Sequence, residues 1–432
     1  MRTCQQLFRT PEFTLLFLAS SAQVAASTVS GLALGTLVFG STGSPLLSSL
    51  AMFGPSLAQL VGAATLLSAA DRLPPRAAMS GLALLFALGT AAQAIPGLPV
   101  WAAFALLAGQ GLLASLGGGV RYGLLNEIVA KEGYLLGRSL LNMAAGTMQI
   151  CGYAAGGLLL AGLSPRGTLL VGAALHTGAA LLARFGLGAR PARSGGRPSV
   201  AETWRTNARL WSAKPRRYVY LALWVPNGLI VGAESLFVPY APGRSGLLFA
   251  FAALGMLAGD TLTGRFVPAR WRERLGAPLR MLLAAPYLMF ALHPDLPLAL
   301  PAVMLASVGY AASLLLQERL MSLVPQELSG HALGLHSSGM LAMQGVGAAL
   351  AGAVAARTSP ATAMALMAVV SIAVTLRLAP GLRGSGGTGG QQPPQSQHSQ
   401  HSQHSSASQQ SPSQQSISLH GPWRRRPLQG SS

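Results

Sequence analysis

Residues 129–165 read VAKEGYLLGRSLLNMAAGTMQICGYAAGGLLLAGLSP, and residues 324–360 read VPQELSGHALGLHSSGMLAMQGVGAALAGAVAARTSP. The two stretches align without a gap. Glu132 meets Glu327, Met148 meets Met343 and Gln149 meets Gln344. Gly152 meets Gly347, Gly157 meets Gly352, and Ser164-Pro165 meets Ser359-Pro360. Ala and Leu matches mean little in so apolar a chain, so the polar, Gly and Pro matches carry the repeat. Each copy holds an apolar run longer than the roughly 20 residues that cross a hydrocarbon layer as helix. If an even number of crossings separates the copies, both run the same way through the membrane, as parallel repeats do.

The rest of the chain fits that frame. Of 432 residues, 51% are hydrophobic and 9% charged, against about 25% charged in soluble domains. Apolar blocks bounded by Gly and Pro predict twelve spans: 14–39, 45–70, 77–95, 99–126, 134–162, 165–187, 217–240, 244–266, 276–293, 297–321, 328–356 and 359–379. Breaks fall at Gly43, Pro74, Pro96, Pro165, Pro242, Pro294, Pro325 and Pro360. The apolar run after Arg2 and Arg9 is too long for a cleaved leader and reads as the first span. The expected fold is an all-α polytopic membrane protein built from two parallel six-helix bundles. Residues 1–187 form the first bundle, 188–216 a cytoplasmic linker, 217–383 the second bundle and 384–432 a disordered tail.

The formal net charge of +19 does not point to nucleic acid, because the basic residues lie between apolar blocks, where they set topology. With the N-terminus inside, only Arg166, Arg244 and Arg357 fall on the outer side. Both termini are then cytoplasmic. In the linker, Ser199 and Glu202 form a capping box. Val200, Trp204, Ala208 and Trp211 follow at helical spacing, with Arg205, Arg209 and Lys214 off that stripe. Two readings stand: an amphipathic helix on the inner leaflet, or a linker helix packed on the bundle. Cys4 and Cys151 fit no metal or redox spacing and read as free thiols. His398, His401 and His404 sit in a Gln/Ser-rich tract whose composition accounts for them, so no metal is expected. The Arg-over-Lys, Ala- and Gly-heavy composition suggests a bacterial gene, hence the bacterial cytoplasmic membrane.

The stretch LLSAADRLPPRAAM, residues 66–79, places an acid–base pair and two prolines between two apolar blocks. Asp71, Arg72 and Arg76 match the pattern G-x-x-x-D-R-x-G-R-R, with Leu67, Pro74 and Pro75 at its other fixed places. Gln110-Gly111 matches the end of R-x-x-Q-G, with Leu107 at the Arg place. Gly152 to Gly157 matches G-P-x-x-G-G, with Tyr153 at the Pro place. By these motifs the chain resembles the major facilitator superfamily over about residues 5–383, most of all its bacterial drug- and siderophore-exporting branch. The resemblance implies twelve helices, alternating access and export. It implies an inner-side latch at Asp71, Arg72 and Arg76, with Arg121, and with Arg265 in the matching loop of the second half. It also implies close helix packing at Gly152, Gly156, Gly157, Gly347 and Gly352, expected to bring the two halves together.

Charged and polar side chains inside spans are costly and mark pathways. Glu234 in the seventh span and Asp260 in the eighth are the acidic candidates. Asp260 has a second reading, pairing with Arg265. Gln23, Gln110, Gln149 and Gln344 are polar at depth, and Trp224 offers a stacking face. For Gln149 and Gln344 the alternative is helix–helix hydrogen bonding. Neither Lys131 nor Lys214 sits in a phosphate-binding loop, and no hydrolytic motif is present, so the chain is not expected to be an enzyme or to hold a cofactor. Energy would come from a gradient, with protons as the expected coupling ion. The expected function is export of a small amphipathic molecule (drug, antibiotic or siderophore-like) by proton antiport, as a monomer. A nutrient importer and a non-transporting sensor or scaffold of the same fold remain alternatives.

Overall fold

The computed structural model describes residues 4–65, 73–129, 131–192, 200–325 and 328–383. Asp71 and Arg72, Glu327 and the tail from 384 lie outside them. Among the described residues, 12 helices are long and apolar enough to cross a membrane. They are α1 (Pro11–Thr42), α2 (Pro45–Ala63), α3 (Pro75–Gln93), α4 (Val100–Ile128), α5 (Leu136–Gly162) and α6 (Pro165–Gly186). The second six are α7 (Lys214–Tyr240), α8 (Ser245–Phe266), α9 (Leu275–Leu292), α10 (Leu296–Ser322), α11 (His331–Ala355) and α12 (Pro360–Leu382). Their outer faces stay apolar and uncovered: Phe185 is 80% exposed and Leu292 82%. Apolar side chains so exposed along the bundle call for hydrocarbon around it, not water.

Local chemistry sets the boundaries. Proline opens seven of these helices, at Pro11, Pro45, Pro75, Pro165, Pro215, Pro297 and Pro360, where its missing N–H is not needed. Gly43 ends α1 in the left-handed conformation, φ 64°, and its N–H returns to Phe39 O, a glycine C-cap. The Ser-Pro repeat acts identically in both halves. Ser164 Oγ accepts from Gly167 N at 3.1 Å, and Ser359 Oγ accepts from Thr362 N at 3.1 Å, each capping the helix that follows.

The sequence repeat is also a packing repeat. In the first half α1 packs on α5 and α6, α2 on α4, and α3 on α6. In the second half α7 packs on α11 and α12, α8 on α10, and α9 on α12. The halves meet along two lines that exchange under the repeat, α2 against α11 and α5 against α8. Because successive spans run in opposite directions, the start of α1, residues 188–192 and the end of α12 share one end of the bundle. The opposite end is called distal below.

The linker helix, Val200–Ser212, packs on the second half. Leu210 is fully buried with Val219, Tyr220 and Leu316. Trp211 stacks on Trp224 at 5.6 Å and 7°. Trp204, Arg205 and Arg209 remain exposed. Its C-terminal turn therefore docks on the bundle, and its earlier turn keeps a Trp/Arg face free.

Candidate functional site

Three interruptions of helix geometry meet in the second half. Each follows from sequence. In α7 the regular helix ends at Glu234 and resumes over Phe237–Tyr240. Pro239 explains the break, since a proline ring collides with the carbonyl four residues back, here that of Ser235. The displaced Ser235 carbonyl accepts Ser49 Oγ at 3.4 Å, and Ser235 Oγ meets Ser49 Oγ at 3.0 Å. In α9, Pro286 lies where the α-helix gives way to a 3₁₀ helix over Ala285–Leu292. In α10 a 3₁₀ turn spans Gly309–Ala311, where Gly309 lets α10 press on the Leu283 backbone. Such mid-helix irregularities mark hinges and working sites.

Each interruption carries a polar side chain toward the others. Glu234 is 6% exposed, and the polar groups acting on its carboxyl are the phenols of Tyr310 and Tyr287. Tyr153 of α5, from the other half, also lies within electrostatic reach of it, with Gln149 beside the Tyr153 phenol. The Tyr153 ring stacks on Phe249 of α8 at 4.8 Å and 12°. Three of these oxygens, Glu234 Oε1, Tyr287 Oη and Tyr310 Oη, are buried and close no hydrogen bond of standard geometry, although both phenols stand near enough to act on the carboxyl. Among the described residues no basic side chain is ion-paired with Glu234. The arrangement is a buried site holding one carboxyl and converging phenols with hydrogen-bonding capacity to spare. Glu234 lies six residues before the end of α7, about 9 Å along the axis from the distal end, so the pocket sits nearer that end than the midplane.

The remaining pathway candidates divide. Gln149 joins the pocket through Tyr153. Gln344 is half-buried on α11, and Gln23 is half-buried on α1 with an unpartnered Oε1. Gln110 is committed elsewhere. Its Nε2 donates to Phe86 O at 3.2 Å and to Thr90 Oγ1 at 3.3 Å, and its Oε1 accepts from Gln93 at 3.0 Å. That is a clamp between α3 and α4. Trp224 does not offer a free face: Trp211 covers it, Gly339 of α11 lies against it, and its indole N–H donates to His336 O at 3.1 Å. Asp260 is exposed and forms no ion pair among the described residues, so the pairing with Arg265 is not made. Arg265, also exposed, lies 5.9 Å from the Phe266 ring centroid.

Of the latch residues, Asp71 and Arg72 fall outside the described residues, and Arg76 is half-buried at the start of α3. Arg121 sits 4.9 Å over the Tyr122 ring, with Arg138 5.0 Å from the same ring, and the Tyr122 hydroxyl donates to Asn142. A second charged cluster gathers Glu127, expected from its place near an inner helix end to form a gate or interface pair, with Glu12 and Arg190, which the sequence did not single out. Arg190 in the connector donates to both carboxylate oxygens of Glu12 on α1, at 2.8 Å for Oε2, and pairs with Glu127 on α4 at 3.3 Å. Gly188 N also donates to Glu12, at 2.7 Å.

The glycines correct one expectation. Gly152 packs on Thr28 and Gly156 on Val29 and Leu32, all on α1 of the same half. Gly347 packs on Gly228 of α7, again within its own half. Of these five glycines, Gly157, against Gly246 of α8, and Gly352, against Leu46 at the start of α2, are the two that bring the halves together. The reason is helical phase, since positions five apart fall on different faces of one helix. Gly157 and Gly352 are images under the repeat, and both lie at the distal end. With Ser49–Ser235 they close that end.

The family profile for the Major Facilitator Superfamily matches residues 16–339. No curated protein matches the chain. Among solved structures, a nucleoside transporter aligns with TM-score 0.68 and 12% identity, over 86% of this chain and 99% of its own. A bacterial homologue of the human lysosomal transporter Spinster, in an inward-facing and unoccupied conformation, aligns with TM-score 0.65 and 14% identity, over 87% and 96%. A transporter of the POT family, in complex with a peptide conjugate, aligns with TM-score 0.63 and 12% identity, over 85% and 95%. These likenesses show the shared fold. Two six-helix halves repeating one packing plan, closed at one end around a buried acidic pocket, are the build of a secondary transporter, and the chain belongs to the Major Facilitator Superfamily.

Proposed function

We propose that this transporter exports a small amphipathic molecule in exchange for protons, with Glu234 as the group at which proton and substrate alternate. One observation carries the reading: a lone buried carboxyl stands at a helix break, among unpartnered phenols, where α5 of one half reaches the second half. A buried carboxylate without a counter-ion is costly, so it is expected to hold either a proton or a substrate group. With both termini in the cytoplasm of a bacterium, the distal end faces outward. The structure then corresponds to the conformer closed outside, ready to load from within. Asp71, Arg72, Arg76, Arg121 and Arg265 would form the inner latch in the alternate conformer, as the family resemblance implies.

Inside-out vesicles from expressing cells test this directly. An acid-inside gradient drives a proton-coupled exporter to concentrate its substrate in the lumen. A panel of dyes, antibiotics and siderophores supplies the candidates. Accumulation that collapses with a protonophore and disappears in Glu234→Gln supports the reading. Uptake in the opposite direction identifies an importer, and gradient-driven flux untouched in a folded Glu234→Gln removes Glu234 from the exchange. Labelling of cysteines in 188–216 from outside intact cells would overturn the orientation.

A further inference from the structure

Glu234 Oε1, Tyr287 Oη and Tyr310 Oη are three buried oxygens without hydrogen-bond partners, and the phenols lie against the same carboxyl. A primary ammonium group has three N–H donors and one positive charge. From this match we propose that the pocket recognises the ammonium head of an amphipathic primary amine, one N–H to the Glu234 carboxylate and one to each phenol oxygen. The inference deepens the proposed function and rests on Glu234 being the exchange group. It adds what that reading lacks, the chemical class of the substrate.

The competing guests fit less well. A neutral alcohol satisfies a phenol but leaves the carboxylate charge uncompensated in a buried site. An anion faces that charge directly. A guanidinium brings five N–H donors in a rigid fork, more than the three open acceptors, and the surplus would be buried unsatisfied. A quaternary ammonium has no N–H to give. Each phenol retains its own proton, free to donate to the carboxylate while its oxygen accepts from the guest. The stacked pair Tyr153 and Phe249, with Phe237 edge-on to Phe249 at 5.0 Å, forms an aromatic wall whose Tyr153 lies within electrostatic reach of the carboxyl. An aryl tail on the amine would pack there. Proton exchange follows without further machinery, since protonating Glu234 removes the charge that holds the cation.

The test uses the purified full chain in lipid nanodiscs at neutral pH, with three probes of one shape: 2-naphthylmethylamine, 2-naphthylmethanol and 2-naphthoate. Calorimetric titration reads each affinity, and the same titration on empty nanodiscs subtracts partition into lipid. The amine is expected to bind at least about tenfold tighter than the alcohol, the scale of one charge-assisted hydrogen bond, and the naphthoate not to bind. Glu234→Gln should erase that preference. Tyr287→Phe and Tyr310→Phe keep the ring packing and remove one oxygen each. Each should weaken the amine several-fold while leaving the alcohol within about twofold, which keeps the proposal testable if Glu234→Gln does not fold. Equal affinity for amine and alcohol, or an amine preference that survives Glu234→Gln, overturns the ammonium assignment. Vesicle flux on the same variants separates the two levels. Flux that needs Glu234 without amine preference sinks the substrate class alone, whereas amine preference with Glu234-independent flux sinks the exchange reading.

Discussion

Gly157→Ala should push the distal end open. A Cβ at Gly157 would lie 2.8 Å from Gly246 O and 2.9 Å from Gly246 C, where carbon contacts settle at about 3.5–4.0 Å. The obstructing atoms are backbone, so no rotamer relieves the overlap. The halves must separate by roughly 0.7 Å or more along α5–α8. Overpacking of this kind costs about 1–3 kcal/mol. Alanine also favours helix over glycine by up to about 1 kcal/mol, but α5 is expected to stay helical in either conformer, so that gain cancels. The closed population should therefore fall about 5- to 150-fold relative to the open one. Spin labels on Arg166→Cys and Arg357→Cys, after replacing Cys4 and Cys151, report the distal separation by double electron–electron resonance. Gly146→Ala on the same helix is the control, since its Cβ meets nothing within 4 Å. If Gly157→Ala and Gly146→Ala give the same distance distribution as the parent, the α5–α8 contact is not a closure.

Gly352→Ala should act the same way through Leu46, whose Cα would lie 2.7 Å from the new Cβ; the same label pair reads it, and an unchanged distribution would break the symmetry argument. Pro239→Ala restores the helix hydrogen bond to the Ser235 carbonyl and swings Glu234 out of the pocket. Flux should fall by an order of magnitude or more, and wild-type flux would show that the break only shapes the helix. Gln110→Ala removes three hydrogen bonds between α3 and α4. It should lower stability by about 2 kcal/mol, at roughly 0.6 each, and leave substrate affinity unchanged; a shifted affinity would return Gln110 to the pathway. Arg190→Ala breaks two ion pairs that are about a quarter exposed. Its cost should be about 1 kcal/mol or less and should shrink in high salt, so a large salt-independent loss of melting temperature would contradict the exposed-pair account.

The twelve spans were legible because the bilayer imposes length and composition on any segment that crosses it. The six-plus-six plan was legible through Met148-Gln149, Gly157 and Ser164-Pro165 and their images, which do matching work in both halves. Glu234 announced itself as a charge inside a span. Its phenols did not, because Tyr287 and Tyr310 sit in apolar blocks where an aromatic residue is unremarkable; Pro286 and Gly309, each one residue before its tyrosine, are the signal that was there to use. The Ser49–Ser235 contact joins residues 186 apart, and only tertiary packing selects that pair from many serines. Trp224 misled because its type suits a ligand-stacking role, while the residue that covers it, Trp211, belongs to the connector.

The connector is fastened at both of its ends. Arg190 ties its beginning to α1 and α4 through Glu12 and Glu127, and Leu210 with Trp211 moors its helix to the second half. Between these moorings lie residues 191–199, a length of chain that can span at most about 30 Å. The connector is thus a leash of set length, and its length limits how wide the two halves can swing at the end that carries it. Lengthening the leash should widen that swing without touching the pocket, and shortening it should hold the halves together at that end.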